Sequence, residues 1–186
     1  MKSRAVHVVG LSLGGHVALE LAKHFPDKVL TLFISGITVQ PLRYGFLLKL
    51  QSRAVQRNIH NTSHLEKQAR EHYRLPPEKI PEFISNYQLL TRETYEAIFK
   101  EIIRFRLDAS YSSFRKPVLF AAGEHESRAV IASVNMAPVV MPNAVGMLIT
   151  NARHDWPVQQ ATKFNRLLRK WLTGNLDEQK DLLFPD

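Results

Sequence analysis

The chain has 186 residues, 45% of them hydrophobic and 23% charged, which fits one globular domain with a real apolar core. It contains no cysteine, which excludes disulfides and thiolate metal sites and suits a reducing, cytoplasmic setting; no stretch is long and apolar enough to span a bilayer. The formal charge of +8 comes mainly from Gln40 to Lys116, where 14 Lys and Arg face 8 Asp and Glu, interleaved as in Glu66-Lys67, Arg70-Glu71 and Arg92-Glu93. That pattern describes a solvated helix face and not a nucleic-acid surface.

Met1-Lys2-Ser3-Arg4-Ala5 carries no apolar run of signal-peptide length, and the β-branched run Val6-His7-Val8-Val9 follows it directly. Gly10-Leu11-Ser12-Leu13-Gly14 comes next, and then Val17, Ala18, Leu21, Ala22 and Phe25 recur at helical spacing up to Pro26. A G-x-S-x-G pentapeptide is common by chance. Between a strand and a helix it gains meaning, because a serine at a sharp strand-to-helix corner exposes its hydroxyl to a base and a substrate. Gly10 and Gly14 are expected to leave room for close backbone approach. The N–H of Leu13, at the positive end of the helix, is expected to point to where an oxyanion would form.

Lys28 to Ser35 reads as a second buried strand ending at Gly36. From Val39 to Arg115 helical segments dominate: roughly Leu42 to Asn58, Ser63 to Tyr73, Glu78 to Leu89 and Thr91 to Arg106. In the last of these, Tyr95, Ile98, Phe99, Ile102 and Ile103 form one apolar stripe. Asn61-Thr62-Ser63 is a glycosylation sequon with no use in a cysteine-free intracellular chain, and His60 and His64 lack the further ligand that a metal site requires. Strands resume at Pro117 to Ala122 and Val145 to Ile149, and a final helix is predicted over Val158 to Leu172. The tail from Asn175 to Asp186 is mostly polar and acidic.

Two turns after the later strands carry titratable groups. Gly123-Glu124-His125-Glu126 closes the third strand, and Asn151-Ala152-Arg153-His154-Asp155-Trp156 follows the fourth. Glu126 and Glu124 are both candidates for an acid that orients a histidine, with Asp108 in reserve. His125 reads as a solvated loop residue, Asp155 as a helix cap and Trp156 as a packing residue.

Nucleophile, acid and histidine in this order, each just after a strand, resemble the α/β-hydrolase superfamily, and the G-E-x-E and H-x-W segments resemble its small esterase-like members. The resemblance implies a partial α/β-hydrolase fold: a mostly parallel sheet of about four strands with flanking helices, corresponding to the family domain from the nucleophile strand onward. It divides the chain into a nucleophile segment at 1–38, a helical cap insertion at 39–115, the rest of the core at 116–174 and a tail at 175–186. It implies a serine hydrolase acting on a small ester-like substrate without metal or other cofactor: Ser12 as nucleophile, His154 as base, Glu126 as orienting acid and the Leu13 amide as oxyanion donor. The cap would line the pocket, with Tyr44, Phe46, Leu47, Tyr87, Tyr95 and Phe99 as candidates. The second oxyanion donor of the family, from a loop before the nucleophile strand, has no counterpart in the sequence. The first strand is then an open edge that invites a second copy or a separate N-terminal segment. The alternative reading is therefore a catalytically impaired fragment acting as a binding or assembly module.

Overall fold

The computed structural model describes residues 5–41 and 58–176. Four strands, β1 (Val6–Leu11), β2 (Val29–Ser35), β3 (Val118–Gly123) and β4 (Ala144–Ile149), form one parallel sheet in the order β1-β2-β3-β4. Each is followed by a turn at the same end of the sheet, because parallel strands all finish on one side. The inner strands VLTLFIS and VLFAAG are nearly continuous apolar runs, as burial on both faces demands.

Alternation along those strands builds two cores. Leu32, Ile34, Val118 and Phe120 share one cluster with Ala18, Leu19 and Ala22 of helix α1 (Leu13–His24) and with Tyr111, Phe114, Ala137 and Met141. Phe33, Leu119, Ala121, Met147 and Ile149 share the other with Trp156, Leu167 and Trp171. Burying each large apolar side chain stabilises the fold by roughly 1.5–3 kcal/mol, so both faces of the sheet are held.

The residues form two compact units: 1–41 with 105–186, and 42–104. In the second unit the described helices are α2 (Thr62–Lys67), continued as a π-helical turn over Gln68–His72, then α3 (Ile80–Gln88) and α4 (Arg92–Arg104). Asn61 caps α2 through its side chain, which accepts the His64 amide at 3.0 Å. Salt bridges Arg70–Glu66, Lys79–Glu82 and Arg92–Glu96 lie along the exposed faces of this unit, where the alternating charges were expected.

The structure adds a helix and divides another. α5 (Arg128–Val140) crosses from β3 to β4, a connection that two parallel neighbours require. Its valines and its internal Pro138 hide the helical pattern, although Ser127 marks the start by accepting the Val130 amide. The final helix is broken at Gln160 into α6 (Trp156–Gln159) and α7 (Ala161–Leu172). Asp155 occupies the N-cap position of α6 without a side-chain cap bond; its carboxylate accepts the Gln159 side chain instead. Among the described residues, no helix is long and apolar enough to cross a membrane.

Candidate active site

The four strand ends converge on one site, and hydrogen bonds continue past the sheet to hold their turns together. The Ser12 amide donates to the Ser35 carbonyl at 2.8 Å, and the Gly36 amide to Ala121 at 3.0 Å. The Glu124 amide donates to Ile149 at 2.9 Å, and that of His125 to Ala152 at 2.9 Å. The Ser12 corner, the β2 end, the Gly123–Glu126 turn and the His154 loop are thus joined in sequence across the sheet.

Ser12 occupies the corner between β1 and α1 with φ 52° and ψ −124°. An L-residue with this backbone is strained, by about 1–3 kcal/mol, and the strain persists because β1 is paired to β2 and α1 is packed into the core through Ala18, Leu19 and Ala22. The side chain is exposed at the corner. Leu13 opens α1, and its amide is one of the four at a helix start that have no intrahelical acceptor. Gly10 is required: a Cβ there would stand 2.4 Å from the Gly14 carbonyl oxygen. The expectation for Gly14 is corrected, since a Cβ there meets nothing within 4 Å, whereas one at Gly15 would stand 2.6 Å from Ile37 Cγ2. The close approach runs between Gly10 and the helix backbone, and between Gly15 and the residues at and just beyond the end of β2.

The two glutamates of the acid turn have separate tasks. Glu126 Oε1 accepts the Gly123 amide at 3.0 Å, and its Oε2 accepts His154 Nδ1–H at 2.6 Å. The three-residue spacing from Gly123 lets the carboxylate fold back on its own turn, and the Glu126 side chain is only 2% exposed while that of His154 is 54% exposed. Because the carboxylate only accepts, Nδ1 carries the proton, and Nε2 is the nitrogen left to act as a base. This bond holds the His154 pKa above its ordinary value; partial burial opposes it, and the charges of Glu126 and Asp155 add to it. Glu124 Oε2 accepts the Asn151 amide at 3.1 Å, anchoring a loop residue held at φ 54°. Asp108 instead bonds Ser110 and takes no part in this cluster. His125 is exposed.

The histidine loop crosses close above two glycines. A Cβ at Gly123 would stand 2.4 Å from the Ala152 carbonyl oxygen, and one at Gly36, where φ is +70°, would stand 2.8 Å from His154 Cε1. Ser12 and His154 are therefore both tied to the Ser35-Gly36 corner, one through a backbone hydrogen bond and the other through ring contact. The Ser12 hydroxyl makes no hydrogen bond to His154 among the described residues.

Two contributors lay outside the sequence reading. Ser35, buried at the end of β2, accepts the indole Nε1–H of Trp156 at 3.0 Å; only its polar side chain after the apolar run Leu32-Phe33-Ile34 hinted at it. His16, on the buried side of α1, donates from Nε2 to the Thr38 carbonyl at 3.0 Å and packs edge-on against Phe105, and burial pushes its pKa down.

Of the residues proposed to line a pocket, Tyr44, Phe46 and Leu47 lie outside the described residues. Tyr95 and Phe99 stack on α4 with centroids 5.9 Å apart, and Tyr87 packs against Phe83 at 4.8 Å. Burial raises the Tyr95 pKa. Each ring contact joins residues four apart on one helix. No group of three or more His, Cys, Asp or Glu that could hold a metal is assembled among the described residues.

No protein-family model matches the chain. It is 23% identical over 202 aligned positions to monoacylglycerol lipase ABHD6 of Bos taurus, a match that takes in 98% of this chain and 59% of that protein. Among solved structures it resembles a hydrolase from Pseudomonas aeruginosa PA01, with TM-score 0.69 and 20% identity over 92% of this chain and 66% of that one. It also resembles a serine hydrolase, CCSP0084, from Cycloclasticus zankles, with TM-score 0.67 and 18% identity over 94% and 66% of the two chains. The chain spans about two thirds of those structures and less of the curated relative.

Proposed function

From the premise of a partial α/β-hydrolase fold, which the strand order and these structural likenesses establish, we propose that the chain is a serine hydrolase that cleaves small carboxylic esters through Ser12, His154 and Glu126. The observation that carries the reading is the 2.6 Å bond from His154 Nδ1–H to a buried, doubly anchored Glu126, placed beside a strained serine corner. A surface histidine has no need of a carboxylate that is itself fixed by a backbone amide.

In the proposed reaction, the Ser12 oxygen attacks the ester carbonyl while its proton passes to His154 Nε2. Glu126 keeps the imidazole in the tautomer that can accept it and stabilises the resulting imidazolium. The carbonyl oxygen becomes an oxyanion facing the Leu13 amide at the start of α1. His154 returns the proton to the leaving alcohol, freeing it and leaving an acyl-serine. A water deprotonated by His154 attacks that ester, the bond to Ser12 breaks, and the proton returns to serine. Every proton moves between Ser12, His154, water and product, so the cycle closes on the starting enzyme.

A second reading, a site with the right geometry but low turnover in this chain alone, is favoured by the β1 side of the fold. Among the described strands β1 pairs with β2 alone, and Val6, Val9, Leu11 and the α1 residues Val17 and Leu21 are exposed. A fluorophosphonate probe separates the two: the hydrolase reading expects wild-type chain, but not Ser12→Ala, to be labelled and to hydrolyse a short activated ester. Labelling without turnover supports the second reading, and absence of both refutes the first.

A further inference from the structure

We propose that Ser35 is a positioning residue that sets the separation of Ser12 and His154, acting through Trp156 without touching substrate. The proposal rests on the serine-hydrolase reading and deepens it. Ser35 is bonded to both halves of the site at once: its carbonyl accepts the Ser12 amide at 2.8 Å, and its hydroxyl accepts Trp156 Nε1–H at 3.0 Å. Trp156 is fully buried, and its amide donates to Arg153 at 3.1 Å, closing the turn that presents His154. The indole packs edge-on against Phe164 at 5.3 Å, and Phe164 against Phe33 of β2 at 5.6 Å, so the ring has little freedom to follow a shift of the loop.

The His154 ring also rests against Gly36, and the Gln160 side chain donates to the Asn151 carbonyl, but the other hydrogen bonds of the histidine loop lead elsewhere. Glu124 to Asn151, His125 to Ala152 and Glu126 to His154 all run to the acid turn, so they place His154 relative to Glu126. The Ser35–Trp156 bond runs instead to the end of β2, where the Ser35 carbonyl accepts the Ser12 amide, and it is buried. A hydroxyl at the end of an apolar strand would be a burden without such a partner, and an indole N–H in the core without an acceptor costs about 1–3 kcal/mol. Proton transfer from Ser12 is steep in distance, and a displacement of about 1 Å in such a site lowers rates as much as 100-fold.

The test uses the full chain in four forms besides wild type: Ser35→Ala, Ser35→Thr, Trp156→Phe and the Ser35→Ala/Trp156→Phe double variant. Fluorophosphonate labelling of Ser12 is followed across the neutral pH range, with the Trp156 Nε1–H and His154 ring resonances read by NMR. The expected result is a plateau labelling rate lowered about tenfold in Ser35→Ala with an unmoved pH midpoint, since the Glu126 bond is untouched. Ser35→Thr, which keeps the hydroxyl, restores most of the rate. Trp156→Phe removes the same bond from the other side and decides the matter if Ser35→Ala does not fold; it gives a similar loss, and the double variant loses little more. Wild-type labelling in Ser35→Ala alongside a shifted indole resonance would overturn the proposal, as would a displaced pH midpoint, which would mean that Ser35 acts on the acid–base pair. If wild-type chain is not labelled, the hydrolase reading fails by itself. The positioning role then stands on the NMR arm: movement of the His154 resonances in Ser35→Ala supports it, and unchanged resonances overturn it.

Discussion

Replacing Gly36 by alanine separates backbone strain from contact with His154, because a second glycine supplies the control. Gly36 and Gly174 share φ +70°, yet a Cβ at Gly174 meets nothing within 4 Å, while one at Gly36 would stand 2.8 Å from His154 Cε1 and 2.9 Å from Nδ1. The left-handed backbone costs an L-residue about 1–2 kcal/mol. The smaller conformational freedom of the unfolded alanine chain returns roughly 0.4–1 kcal/mol, leaving Gly174→Ala destabilised by about 1 kcal/mol. Gly36→Ala carries that cost and must also move the imidazole by about 0.6 Å or more to reach ordinary carbon contact distance. The move pulls Nδ1 away from Glu126, weakening a 2.6 Å bond. We expect a total loss of roughly 2–3 kcal/mol in urea unfolding, in line with other strained and crowded sites, and a drop in Ser12 labelling of about tenfold or more. Gly174→Ala should label as wild type does. Equal stability losses in the two variants, with equal labelling, would refute the packing of His154 over Gly36.

Because the bond to Glu126 raises the His154 pKa, the neutral base appears late: labelling of Ser12 should rise with pH through a midpoint above 6.5, and Glu126→Gln should lower both that midpoint and the plateau. For stability the sign runs the other way, since a raised folded pKa means that the contribution is full below the unfolded value and lost as pH rises through the folded one; a midpoint at or below 6.5 contradicts both statements. Ser12→Gly should stabilise the chain by about 1 kcal/mol relative to Ser12→Ala, as relief of the strained corner outweighs the greater freedom of unfolded glycine. Neither variant should label, and equal denaturation midpoints would show that the corner is unstrained. Glu124→Ala should cost about 1 kcal/mol and slow labelling severalfold by freeing the Asn151 amide, while Glu124→Gln, which keeps an acceptor, stays near wild type. If Glu124→Ala abolishes labelling as completely as Glu126→Ala, the acid has been assigned to the wrong glutamate.

The strands were legible because β2 and β3 are buried on both faces, so their sequences have no polar face to confuse the reading. α5 was not, since its valines and Pro138 obey packing against the sheet and the topology of a crossover, neither of which is a local preference. The same division runs through the site. Ser12 was recognisable from its neighbours because a strand, a tight corner and a helix lie in one short segment, and chain order suggested Glu126 and His154. The choice between Glu126 and Glu124 needed the fold: both stand in one turn, and only the return of the Glu126 carboxylate to the Gly123 amide aims it at His154, while Glu124 reaches Asn151. Gly14 and Gly15 are likewise indistinguishable in sequence, and only the position of Ile37 shows which of them must lack a Cβ. By itself the sequence determined which chemical groups the chain owns and the order in which its strands present them, because those depend on local pattern. Only the tertiary structure decided which groups meet, since the Ser35–Trp156 bond spans 121 positions and the Glu126–His154 bond 28, separations over which local preference has no influence and packing alone sets the distance.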